Sequence, residues 1–271
     1  MQKIGFIGAG NMAEALLKGL LLSGVFTKEG VIVSDVLQER LDFMSSTYGV
    51  KSTLDNKEVV RFSDLIVLSV KPNTVGKVVG EIKGLLTSRK VLISIAAGIP
   101  VSFIADRIKK KTKIVRVMPN TPALVLSGVS VLYCNSLVTP EEKENIVKIF
   151  KSVGEAFTVE REALLNPVTG LSGSGPAFVA MFIEALADGG VKAGLPINLA
   201  LKLAAQTVYG TAKMIIDGGI HPAELKDKVA SPGGTTVEGI KELEVRGFRG
   251  SVISAVESAA KRSKELSKEE K

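Results

Sequence analysis

Residues 4–15, Ile-Gly-Phe-Ile-Gly-Ala-Gly-Asn-Met-Ala-Glu-Ala, constrain how this chain must begin to fold. A short apolar run enters a G-x-G-x-x-A turn and leaves it as an amphipathic segment, the order of a strand, a tight turn and a helix. Gly8 permits the turn, Gly10 lets an anionic ligand approach the backbone, and the small Ala13 lets helix pack closely on strand. The backbone from Gly8 through Ala9, Gly10, Asn11 and Met12 then forms a helix mouth, where free amides and the helix dipole favour phosphate. Alone, such a turn is common. Here it opens a βαβ unit and is followed by Asp35 at the end of the second apolar run, and together these point to a bound dinucleotide.

The rest of the first half repeats the same rhythm. Runs rich in Val and Ile recur at 4–7, 31–33, 65–70, 91–95, 114–117, 129–132 and 157–159, separated by longer mixed segments. Continuous apolar runs of this size suit strands covered on both faces, and their alternation with helical segments predicts a parallel sheet. After about residue 160 the period changes to helical: Phe178, Met181, Phe182, Ala185 and Leu186 share one face. Further helices are predicted over 196–216, 222–229, 235–246 and 250–266, with the charged tail 261–271 expected to fray. The fold class expected is α/β: a Rossmann-like, mostly parallel sheet domain over residues 1–160, then an all-α domain over 161–271. Several of these helices are apolar around most of their circumference. That favours burial against a second subunit, with the central helix of a monomeric bundle as the alternative.

Charge and composition narrow the function classes. Among 271 residues, 35 Lys+Arg stand against 28 Asp+Glu, a net +7 that suits anionic ligands. The densest basic stretch, Lys109 to Lys113, has no interleaved aromatics, so it reads as a solvated helix end and no nucleic-acid partner is expected. The apolar stretches, such as Ala177 to Ala187, look too short to cross a bilayer, and no membrane partner is expected. The N-terminus lacks the features of a signal peptide, and the lone Cys134 within an apolar run reads as an inert buried thiol, so a cytoplasmic protein is expected. His221, the single histidine, has no companion ligand, and no metal site is expected. Ser172-Gly173-Ser174-Gly175 has the composition of a nucleophile elbow but follows no strand and has no His-Asp partner.

Three further segments could carry chemistry. Asp35 is placed to accept from ribose hydroxyls and to repel a 2′-phosphate, which favours NADH while leaving NADPH tolerated. At the carboxyl ends of later strands lie Ser69-Val70-Lys71-Pro72 and Ala96-Ala97-Gly98, small or turn-forming residues with room for a flat ring; Lys71 could act as an acid or as a cofactor anchor. In the second half, Ser231-Pro232-Gly233-Gly234-Thr235-Thr236 at a helix mouth suits a small carboxylate. An ordinary turn is the alternative, because Thr235 with Glu238 matches a capping box.

Longer segments carry a more specific likeness: SVKP at 69–72, RVMPNTP at 116–122, TGLSGSGPAF at 169–178, EALADGGVKAGLP at 184–196 and HPAELKDKVASPGGTT at 221–236. With the GAGNMAEAL opening they resemble the pyrroline-5-carboxylate reductases over nearly the whole chain. The resemblance implies reduction of 1-pyrroline-5-carboxylate to L-proline, the last step of proline biosynthesis, with NADPH or NADH as cofactor. It implies a homo-oligomer built from dimers through the helical domain, with each active site between one protomer's nucleotide domain and its partner's helical domain. Cofactor contacts carry over to Gly8, Ala9, Gly10, Asn11, Met12, Ser34, Asp35, Asn56, Ser69, Val70, Lys71, Pro72, Ala96, Ala97 and Gly98. Substrate contacts carry over to Glu162, Ser172, Gly173, Ser174, Gly175, Gly234, Thr235 and Thr236, with the Thr236 hydroxyl expected on the ring nitrogen. Asn166 and Phe178 depart from the family's usual Asp and Tyr, which bears on supporting hydrogen bonds. A protonated cyclic imine is already electrophilic, so such chemistry needs positioning and no protein nucleophile. Two other readings of the same residues are a hydroxyacid dehydrogenase with a lysine acid, for which Lys192, about five helical turns after the SGSGP segment, lies too far away, and a non-catalytic NAD(P) sensor.

Overall fold

A computed structural model describes residues 2–269. Its first part alternates strands and helices: β1 (Ile4–Ile7), α1 (Asn11–Leu22), β2 (Val31–Ser34), α2 (Gln38–Tyr48), β3 (Lys51–Thr53), α3 (Asn56–Phe62), β4 (Leu65–Leu68), α4 (Pro72–Ile82), β5 (Val91–Ser94), α5 (Val101–Ile108), β6 (Lys113–Met118), β7 (Gly128–Cys134), α6 (Pro140–Lys151) and β8 (Gly154–Thr158). Helices follow: α7 (Leu165–Val168), a π turn over Thr169–Gly173, α8 (Gly175–Lys192), α9 (Ile197–Gly218), α10 (Pro222–Val229), α11 (Thr235–Val245) and α12 (Phe248–Glu269).

The strands form one sheet in the order β3-β2-β1-β4-β5-β6-β7-β8. Side chains alternate between its faces with period two. Ile4 and Phe6 of β1, Leu65 and Val67 of β4, and Val91 and Ile93 of β5 join the core under α1, α2 and α6; Ile7, Ile66, Leu68 and Leu92 join the core under α3, α4 and α5. Helices on both faces explain why these strands read as unbroken apolar runs. The Rossmann-like, mostly parallel sheet is therefore as expected, with two differences. β7 runs antiparallel to β6 and β8 parallel to β7, so the last two strands oppose the rest. The edge strand β3 is an addition: three polar residues paired only with β2. The chain moves outward from β1 through β2 to β3, then crosses back to place β4 beside β1. That reversal opens a crevice at the carboxyl ends of β1 and β4, where open α/β sheets bind ligands.

The chain divides into two compact units, one running up to Ser174 and resuming at Glu257, the other Gly175–Val256, rather than at the expected 160/161 boundary. The tail expected to fray instead continues α12 to Glu269. Ser263 is buried there and donates to Asn166 Oδ1 at 3.0 Å, and Leu266 lies against Gly98. Residues 270 and 271 of that tail lie outside the described residues.

The second unit has little interior of its own. Its small core gathers Ala187, Ala200 and Ala204, while Met181, Tyr209, Ile216, Val245 and Ile253 are more than half exposed. An open apolar groove of about 560 Å³ runs between Phe178, Phe182, Leu186, Leu243, Phe248 and Val252. The run Glu162–Lys192 is, by length and composition alone, long and apolar enough to cross a membrane. This differs from the expectation that the apolar stretches are too short, because helical turns from Glu162 onward extend the run that includes Ala177 to Ala187.

Candidate active site

The turn after β1 is built around two glycines with different duties. Gly8 has φ +99°, and a Cβ there would stand 2.7 Å from the Ser69 carbonyl oxygen; Ser69 in turn donates its hydroxyl to the Gly8 carbonyl at 2.6 Å and its amide to Ile7 at 2.9 Å. The turn is thereby stitched to the end of β4. Gly10, by contrast, is the N-cap of α1 with φ −72°, no side chain caps it, and a Cβ added there meets nothing within 4 Å. Free first-turn amides beside open space are what a pyrophosphate needs. Asn11 is exposed and Met12 half-buried at this mouth. These residues fit a dinucleotide.

Asp35 does not sit as expected. One carboxylate oxygen accepts from the Ala9 amide at 2.7 Å and the other from Leu37 at 3.0 Å. Both oxygens are engaged by backbone donors, so the carboxylate braces the turn, and the preference for NADH argued from a free Asp35 loses its support. Ser34 is fully buried and donates to Asn56 Oδ1 at 2.8 Å, while Asn56 donates to Glu81 at 3.0 Å. Asn56, half-buried at the start of α3, is the member of this pair that can reach a ligand. Lys71 is exposed as the N-cap of α4, Pro72 occupies the first turn, Val70 is half-buried, and Ser69 is committed to the Gly8 turn. At the end of β5, Ala96 is buried, Ala97 exposed, and Gly98 turns the chain with φ +77°.

Glu162 also proves a brace. Its Oε1 accepts from the Val101 amide at the start of α5 (2.8 Å) and from Arg116 Nη1 (3.0 Å), the arginine side chain being only 6% exposed. Asn120 links the next segment: it donates to the Ser172 carbonyl at 3.1 Å and accepts from Val129 at 2.8 Å. Ser172 donates to Val168, and Gly173 passes so near Met118 that a Cβ would stand 2.6 Å from its terminal methyl. Ser174 closes the π turn by donating its amide to Thr169, and Gly175 opens α8. A π turn is a costly local departure that recurs at functional sites.

In the helical unit, Gly234 is the N-cap of α11 (φ −82°, ψ 171°), and no side chain caps the helix. Thr235 is therefore the first helical residue, not the cap, and the capping box of the alternative reading does not form; Glu238 instead faces Lys241 at 3.5 Å. Among the described residues, nothing partners the opening amides of this eleven-residue helix, and the half-buried Thr236 is one of them. His221 caps α10 by accepting from the Ala223 amide. Cys134 is half-buried, and burial pushes its thiol up, with Lys143 opposing weakly.

Arg40, Glu14, Arg116 and Asn120 escaped the sequence reading. Arg40 donates to the Ala9 carbonyl through Nε (2.9 Å) and Nη2 (2.7 Å) and to Glu14 at 2.8 Å. No local pattern betrays a bond between residues so far apart, although Arg116, the charge inside the apolar run 114–117, and Asn120, inside the quoted RVMPNTP segment, carry a signal.

A doubly wound sheet with a glycine turn at its switch point, followed by a helical half, defines a dinucleotide-dependent oxidoreductase. Comparisons with known proteins agree. Residues 3–98 match the family described as NADP oxidoreductase, coenzyme F420-dependent, and residues 162–266 match pyrroline-5-carboxylate reductase dimerisation. The chain is 47% identical over 267 residues to a pyrroline-5-carboxylate reductase of Methanosarcina acetivorans, covering 98% of each. Among solved structures it is similar to a pyrroline-5-carboxylate reductase from Coxiella burnetii (TM-score 0.93, 36% identity, 98% of each chain). The Plasmodium falciparum pyrroline carboxylate reductase with NADP bound gives a TM-score of 0.88 at 35% identity, again over 98% of each chain. The chain belongs to the pyrroline-5-carboxylate reductase family.

Proposed function

We propose that this chain reduces 1-pyrroline-5-carboxylate to L-proline, as the last step of proline biosynthesis, at a site to which one protomer contributes its nucleotide-binding unit and its partner the α11 mouth of the helical unit. NADPH or NADH supplies the hydride when bound. The Gly10, Asn11 and Met12 amides hold its pyrophosphate, with Asn56, Val70 to Pro72 and Ala96 to Gly98 along the remainder. Of the Gly234 to Thr236 amides expected to hold the substrate carboxylate, that of Gly234 is donated to the Ser231 carbonyl at 3.0 Å, so Thr235 and Thr236 hold it, and the Thr236 hydroxyl hydrogen-bonds the ring nitrogen and steadies its proton. The Ser172 to Gly175 segment, shaped by the π turn and Asn120, lines the substrate side, with Glu162 supporting it through Arg116.

The observation that carries this reading is the uncapped mouth of α11 at Gly234-Thr235-Thr236, where the capping box that would have consumed its amides is not made. Support for a homodimer comes from the helical unit, which exposes many large apolar residues and whose core cluster is three alanines. A second copy covers that surface in this reading, so neither a bilayer nor nucleic acid is needed to explain it, and the protein works in the cytoplasm. Oxidation of NADPH, followed at 340 nm with pyrroline-5-carboxylate as substrate, tests the function directly. Turnover with the cyclic imine and none with 2-keto acids is expected. Turnover with 2-keto acids would favour a hydroxyacid dehydrogenase, and binding without turnover a nucleotide sensor.

A further inference from the structure

Two successive peptide planes in the turn after β1 are held by side chains, and their geometry determines where the next amide points. In the Gly8-Ala9 plane, the N–H donates to Asp35 Oδ2 at 2.7 Å and the carbonyl accepts from Ser69 Oγ at 2.6 Å. In the Ala9-Gly10 plane, the carbonyl accepts from Arg40 Nε at 2.9 Å and Nη2 at 2.7 Å. A trans peptide is planar, with its N–H directed opposite to its C=O. Gripping the Ala9 carbonyl therefore aims the Gly10 N–H to the other side, and that N–H has no partner among the described residues.

Arg40 is itself fixed in place. Its Nη2 also donates to Glu14 Oε2 at 2.8 Å, Glu14 Oε1 accepts from the Tyr48 hydroxyl at 3.0 Å, and the guanidinium lies over the Phe43 ring, 4.9 Å from its centre. Arg40, Glu14 and Tyr48 are each half-buried. Burial, then the hydrogen bond to Glu14, push the Tyr48 phenol up, so it remains a donor throughout the neutral range. A fork held by a carboxylate and a ring has few alternative orientations.

We propose that Arg40 is a positioning residue for cofactor binding: it aims the Gly10 amide at the pyrophosphate through the Ala9 carbonyl and makes no contact with a 2′-phosphate. This rests on the reading of the turn as the NAD(P)H site. The test uses the full-length enzyme with Arg40→Met, Arg40→Lys and Tyr48→Phe. Dissociation constants for NADPH and NADH are read by nicotinamide fluorescence, inhibition constants for ADP and adenosine by competition, and kcat with KM for pyrroline-5-carboxylate at saturating NADPH.

Arg40→Met is expected to weaken NADPH, NADH and ADP alike by about tenfold or more, the loss of charged hydrogen bonds to one carbonyl. Adenosine binding, kcat and the imine KM should stay within about twofold, and Arg40→Lys should recover part of the loss. Weakening of NADPH alone would place Arg40 on the 2′-phosphate and overturn the proposal, as would NADPH and NADH constants within twofold of wild type. If Arg40→Met fails to fold, Arg40→Lys and Tyr48→Phe carry the same comparison with smaller equal losses expected. Wild-type protein that binds NADPH but does not reduce the imine would sink the proposed function while leaving this test intact. Wild type that binds no dinucleotide would sink both.

Discussion

Substituting alanine at Gly8 and, separately, at Gly10 isolates what the turn does for the fold from what it does for the cofactor. At Gly8 the new methyl meets two penalties: a backbone at φ +99°, which L side chains rarely adopt, and a carbonyl oxygen at 2.7 Å. Ser69 cannot retreat without stretching its bonds to Ile7 and Gly8, so strain and contact together cost about 3 kcal/mol. For a chain of this size that is a fall in Tm of roughly 6–12 °C. At Gly10 the backbone is extended and the methyl meets no protein atom within 4 Å. Glycine's small advantage over alanine at an N-cap opposes the reduced entropy of the unfolded chain, and stability should change by less than about 1 kcal/mol. The same methyl occupies the space a pyrophosphate needs, so the NADPH dissociation constant should rise by about tenfold or more. Thermal melts give the first quantity and nicotinamide fluorescence the second, without indole interference because the chain has no tryptophan. Gly10→Ala binding NADPH as tightly as wild type would refute the reasoning, and an unshifted melt for Gly8→Ala would refute the close approach to Ser69.

Other outcomes follow from the same geometry. Glu162→Ala leaves the nearly buried Arg116 without its partner and frees the Val101 amide, and should lower stability by about 2–4 kcal/mol in urea melts, with Glu162→Gln losing less because it still accepts; equal small losses for both would contradict the bracing role. Thr236→Ala should lower kcat/KM for the imine about tenfold while leaving the NADPH KM unchanged, and a value within about twofold of wild type would remove the hydroxyl from the mechanism. Because burial raises the Cys134 thiol, the residue stays protonated at neutral pH and gains thiolate only as the pH rises above the ordinary thiol range. Iodoacetamide at pH 7 should therefore label folded protein far more slowly than urea-unfolded protein; equal rates would contradict this.

What could be read from the chain alone was whatever depends on local period and local turns. Strands covered on both faces declare themselves as unbroken Val and Ile runs, and α10 was read to the residue, Pro222–Val229, because a proline opens it. β3 escaped because Lys51-Ser52-Thr53 lies on an edge, where neither apolar face nor length distinguishes a strand from a loop. The glycine turn was legible as a motif, yet the aim of Asp35 was not. Whether that carboxylate meets a ribose or the Ala9 amide depends on how β2 and the turn pack, and Arg40 reaches the same turn from α2 for the same reason. At α11, shifting the cap by one residue from Thr235 to Gly234 removed a hydrogen-bond pattern that the spacing allowed, because capping depends on which residue leaves helical φ and ψ.

Mixing two inactive variants tests most directly whether one protomer's nucleotide half works with its partner's helical half. Protein carrying a Gly10 substitution that abolishes cofactor binding is unfolded and refolded together with protein carrying a disabling substitution at Thr235 and Thr236. If the halves act across the dimer, each mixed dimer contains one intact site, and random pairing restores about a quarter of the wild-type rate. If each site is confined to a single chain, no mixed dimer contains an intact one, and the mixture stays as inactive as its components.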